Sequence, residues 1–121
     1  MIVSGDVMNS SKVYMEGVLQ AHTPVLVYNG AWDGVCGAAV SEPLYASLKW
    51  AGQEAFCTTV RKPWKVSPSD QEVAGFASDI HAGGGQLARV VIRRAGHILP
   101  ADQPAAAFDM VDRFISGRGW P

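Results

Sequence analysis

Apolar positions along the chain fall into two kinds of pattern. Val25-Leu26-Val27-Tyr28 is a short run without alternation, opened by Pro24 and closed by the turn pair Asn29-Gly30. A strand wet on one face alternates apolar and polar residues, so an unbroken run predicts a parallel strand covered on both faces. Leu87-Ala88-Arg89-Val90-Val91-Ile92-Arg93 is a second strand candidate and Val73-Ala74-Gly75-Phe76-Ala77 a third. The stretch Ala82-Gly83-Gly84-Gly85 between them is the natural turn of a hairpin. Phe56-Cys57-Thr58-Thr59-Val60 is short and β-prone and predicts another strand, ended by Arg61-Lys62-Pro63-Trp64; Ser67-Pro68-Ser69-Asp70 is a loop.

Other stretches follow helical spacing. Val13, Tyr14, Gly17, Val18 and Ala21 mark an amphipathic helix beginning at Asn9 or Ser10. Ser41-Glu42-Pro43 has the form of a helix entry, followed by Val40, Leu44, Leu48 and Ala51 on one face and by Gly52 as a stop. The last helix is capped by Asp102, carries Pro104 in its first turn, buries Ala107, Met110, Val111, Phe114 and Ile115, and ends at Gly117. Helices alternating with strands indicate an α/β architecture. A strand covered on both faces needs neighbours, and an α/β domain commonly takes ~200–250 residues. The 121-residue chain therefore reads as one piece, the end of a larger domain.

Composition narrows the function classes. A chain 48% hydrophobic and 17% charged packs into a core. Ten Lys and Arg against eleven Asp and Glu give no electrostatic case for nucleic acid or an anionic membrane. No run approaches the roughly 18 apolar residues of a membrane span, and the first residues lack a signal peptide's basic start and apolar region. Cys36 and Cys57 make neither a disulfide framework nor a metal site. No metal and no cofactor is expected.

Two residues carry candidate chemistry. Asp33 follows the first strand, in the crevice position where α/β sheets hold ligands, although Asp33-Gly34 also reads as a plain turn. His97 lies in the loop Ala95-Gly96-His97-Ile98-Leu99-Pro100, between a strand and a helix. An acid after one core strand and a histidine after a later one is the second half of a Ser…Asp…His order. There the carboxylate fixes the imidazole tautomer while the ring takes the serine proton. His22 and His81 read as surface residues.

With these residues in view, the chain resembles the C-terminal part of the serine carboxypeptidases, particularly their retinoid-inducible and plant-like branch. The matching stretches are Ser4-Gly5-Asp6-Val7, Val25 to Gly30 with Asp33-Gly34-Val35-Cys36, Leu48-Lys49-Trp50, Pro63-Trp64, Val73-Ala74-Gly75-Phe76, and Ala95 to Pro100 with Asp102-Gln103-Pro104. The resemblance implies the C-terminal portion of an α/β-hydrolase fold: parallel core strands plus an edge hairpin, flanked by helices, with residues 1–121 as one incomplete domain segment. It implies Asp33 as triad acid and His97 as triad base, acting on a peptide substrate. Cys36 would sit beside the catalytic pocket, a residue that reads equally as a buried structural thiol. Ile98, in place of the usual methionine, would line the leaving-group side. Trp32 and Gly34 depart from the family's aliphatic residues around the aspartate.

No serine of the chain stands in a Gly-x-Ser-x-Gly elbow, so the nucleophile is expected in a missing N-terminal part of the same domain. The resemblance also implies the secretory pathway, with a vacuole, a lysosome or the exterior as destination. An acyltransferase and a non-catalytic remnant are the alternatives. On the hydrolase reading the strands at Val25 to Tyr28 and Leu87 to Arg93 lie parallel and adjacent, and Asp33 and His97 meet within about 2.6–3.2 Å. The strand at Val73 to Ala77 then forms the sheet margin.

Overall fold

The computed structural model describes residues 11–34 and 37–120. In chain order the elements are α1 (Lys12–Gln20), β1 (Val25–Gly30), α2 (Ala38–Ala46), α3 (Gln53–Thr58), β2 (Lys62–Trp64), β3 (Gly75–Ala82), β4 (Gly85–Ile92), α4 (Leu99–Asp102) and α5 (Pro104–Ser116). The sheet order is β1-β4-β3-β2. β4 is central: it pairs parallel with β1, Val25 opposite Leu87 and Gly30 opposite Ile92, and antiparallel with β3. This is a mixed α/β fold.

Side-chain alternation along β4 divides the core. Val90 and Ile92 point to one face, where Trp64, Leu99, Ala107 and Met110 pack. Leu87 points to the other, against Leu19 of α1, Leu48 and Phe56. A strand covered on both faces needs apolar residues at successive positions, hence the apolar run of β4, interrupted only by Arg89. Burying one such leucine contributes about 1.5–3 kcal/mol. The hairpin turn is Gly83-Gly84, with φ +56° and +84°. A two-residue loop whose twist suits the strands takes positive φ at both positions, which glycine adopts at no steric cost.

Several elements differ from the sequence-based expectation. Phe56-Cys57-Thr58 is helical, in α3, and not a strand. Gln53, Glu54 and Ala55 favour helix, and burial of Phe56 outweighs a β preference of well under 1 kcal/mol per residue. Gly52 precedes that helix instead of stopping the previous one. α2 begins at Ala38, leaving Pro43 inside it and not at its entry. Lys62-Pro63-Trp64, read as a strand's end, is itself a short edge strand, so β3 is not the sheet margin. Here Pro63 costs little, because an edge strand has one side without ladder bonds.

Two helix faces also differ. α1 buries Leu19 and packs Met15 inward, while Val13, Tyr14 and Val18 are exposed. α5 buries Ala107 and Met110 as expected, but Asp109 and Arg113 replace Val111 and Ile115 on the buried side. Asp109 Oδ2 accepts from Trp64 Nε1 at 2.8 Å and from Arg113 Nε at 2.6 Å, so its charge is compensated inside the fold. β1, expected as a strand covered on both faces, packs Leu26 against one core cluster and Val25 and Val27 against the other, but it stands at the edge of the described sheet, half-buried and with Tyr28 exposed. Residues 9 and 10, the expected start of the first helix, lie outside the described residues.

Candidate active site

β1 and β4 run parallel and end on the same rim. The segments that follow them are stitched together by main-chain bonds. The Ala31 N–H donates to the Ile92 carbonyl and the Trp32 N–H to the Ala95 carbonyl, both at 2.9 Å. Gly30 makes this approach possible. A Cβ there would overlap the carbonyl oxygens of Ala95 and Gly96, so the position needs glycine for close packing and not for positive φ.

The histidine segment is held from its other side as well. Arg94 takes φ +54°, a left-handed conformation that favours glycine. Its carbonyl accepts from Gln103 Nε2 at 3.2 Å. The Gly96 N–H donates to Asp102 Oδ2 at 2.7 Å. Asp102 is thus the last residue of α4 and a clamp on the histidine loop, not the cap of α5; Gln103 occupies that position, without a side-chain cap.

These constraints bring Asp33 and His97 together across 64 residues of sequence, with His97 Nδ1 3.0 Å from Asp33 Oδ2. The carboxylate side chain is 5% exposed and the imidazole 60% exposed. A carboxylate so placed accepts the Nδ1 proton and leaves Nε2 available as a base. Ile98, beside the histidine, is exposed, and so is Trp32, beside the aspartate. Cys36 lies outside the described residues. His22 and His81 are exposed and away from this pair; His81 lies 3.3 Å from Asp79. Among the described residues no group of three or more His, Cys, Asp and Glu is arranged to hold a metal.

Two residues of the site carry no signal for this role in the sequence. Gly30 reads as half of a turn pair, because Ala95 and Gly96 become its neighbours only through the sheet; Asp102 reads as a cap of the next helix, whereas its carboxylate turns back to the Gly96 N–H six positions earlier. The consequence for Gly30 is testable. Gly30→Ala is expected to push the two segments apart, costing about 1–3 kcal/mol of stability. Thermal melts of the purified variant against the parent check the effect.

Comparison with known proteins places these residues in context. The family model described as serine carboxypeptidase matches residues 2–117. The probable serine carboxypeptidase CPVL of Homo sapiens is 40% identical over 118 residues, covering 95% of this chain and 23% of the human protein. The venom serine carboxypeptidase of Apis mellifera is 36% identical, covering 98% of this chain and 24% of its own length. Serine carboxypeptidase-like 50 of Arabidopsis thaliana is 32% identical, with 98% and 25% covered. The chain spans about a quarter of the length of these relatives.

Proposed function

The chain belongs to the serine carboxypeptidase family, and from that premise we propose that it is the C-terminal segment of an α/β-hydrolase peptidase, supplying the acid and base of a Ser-Asp-His triad. The observation that carries the proposal is the 3.0 Å contact between Asp33 and His97. It joins the ends of two adjacent parallel strands, where an α/β-hydrolase collects its triad.

In the complete protein a serine from the preceding part of the domain attacks the C-terminal peptide bond. His97 Nε2 takes the serine proton and returns it to the leaving amine; it then activates the water that hydrolyses the acyl-enzyme. Asp33 keeps the proton on Nδ1 and stabilises the imidazolium. Ile98, exposed beside the base, lines the leaving-group side as a stiff aliphatic wall. The proposal extends to the compartment: the secretory pathway, ending in a vacuole, a lysosome or outside the cell. No helix among the described residues is long and apolar enough to cross a membrane.

A paired assay tests the proposal. The complete protein is expected to release the C-terminal residue from a blocked dipeptide, whereas the 121-residue chain, lacking a Gly-x-Ser-x-Gly serine, gives no turnover. Turnover by the purified chain, surviving a control for contaminating protease, contradicts it. Transfer of the acyl group to an added alcohol without hydrolysis would instead mark an acyltransferase.

A further inference from the structure

Arg89 is the one charged residue of β4, and its side chain is 0% exposed. Nη1 donates to Asn29 Oδ1 at 2.8 Å. Nε and Nη2 donate to Glu42 Oε2 at 3.1 and 2.9 Å. The Tyr45 ring lies against the guanidinium, its centroid 5.0 Å from Cζ. Taking a guanidinium out of water is costly even when its donors are paired, and an apolar side chain would fill this position at less cost. A planar fork, however, fixes angles as well as distances.

The partners show what is being fixed. Asn29 is the penultimate residue of β1 and lies four positions before Asp33; Glu42, on α2, lies nine positions after it. Both ends of the segment that carries the acid are therefore fastened to one side chain. That side chain is mounted on the strand leading to His97. On the catalytic reading given above, we propose that Arg89 is a positioning residue that sets Asp33 at its distance from His97 by holding Asn29 and Glu42. Its action is indirect, exerted through Asn29 and Glu42.

The experiment is a mutant cycle in the complete protein. Arg89→Met keeps the core filled with an apolar chain of similar length. It is expected to lower kcat about 10- to 100-fold, the size of effect that a displacement near 1 Å produces. KM should stay within about threefold, since substrate binding is not what Arg89 supports. In an Asp33→Asn background the same substitution should change kcat by less than about threefold, because its effect runs through Asp33. Arg89→Lys, which keeps the charge without the fork, should recover only part of the loss. If Arg89→Met does not fold, Glu42→Ala, at a side chain 43% exposed, releases one end of the segment. Its expected fall is about 3- to 10-fold in the wild-type background and none in Asp33→Asn. An unchanged kcat in the wild-type background, or an equal fall in both, overturns the proposal and leaves the triad reading standing. Full kcat in Asp33→Asn itself overturns the triad reading and the positioning role with it.

Discussion

Replacing His97 by alanine in the complete protein is expected to lower kcat about 10⁴- to 10⁶-fold, as loss of a triad base does elsewhere. On the proposed mechanism every proton transfer passes through this ring, so no other group compensates. KM should change little, since Nε2 acts on the serine proton and not on substrate already bound. The fold is expected to survive, because the imidazole is 60% exposed and, among the described residues, is held by the Asp33 carboxylate. Steady-state kinetics with a melting curve on the same sample separate lost chemistry from lost structure. A variant that melts normally and keeps near-full kcat would remove His97 from the mechanism.

Asp33→Asn is expected to cost as much or less, roughly 10⁴-fold in kcat at most. The physical cause is tautomeric. The carboxylate accepts a proton from Nδ1, which stands 3.0 Å away. An amide nitrogen in the same place donates toward Nδ1 instead and drives the proton to Nε2, where it blocks uptake from the serine. The charge that would stabilise the imidazolium is lost as well. Substitution of a side chain only 5% exposed by one of equal shape should leave packing intact. Comparable kcat in this variant and in the parent, both well folded, would exclude Asp33 as the acid.

Parts of the architecture are legible in the sequence for clear reasons. The runs at Val25 to Tyr28 and Leu87 to Ile92 form adjacent parallel strands; coverage on both faces explains the apolar positions of β4, while β1 at the sheet edge is only half-buried. Gly83-Gly84 announces the hairpin because its turn demands positive φ. Other features depend on packing that no local pattern records. α1 has apolar residues on more than one face, and periodicity alone does not say that Leu19 and not Tyr14 meets the sheet. Phe56-Cys57-Thr58 is β-prone by composition, yet burial of Phe56 within α3 decides its conformation.

The site divides in the same way. Asp33 and His97 stand out because each follows a strand and precedes a helix. Gly30 and Arg89 act on partners that are neighbours only in space, and Asp102 turns back on its own loop instead of capping the helix ahead. Arg89 in particular breaks the apolar run of β4, and sequence alone gives it no partner. The fold supplies Asn29 and Glu42, 60 and 47 positions away.

The central claim is that the Asp33–His97 pair activates a serine contributed by another part of the polypeptide. Labelling of the complete protein with a fluorophosphonate, followed by peptide mapping, tests it most directly. One labelled serine is expected, outside residues 1–121 and flanked as Gly-x-Ser-x-Gly, with labelling abolished in His97→Ala. A label on one of the chain's own serines, or labelling at an undiminished rate in the His97→Ala variant, would contradict it.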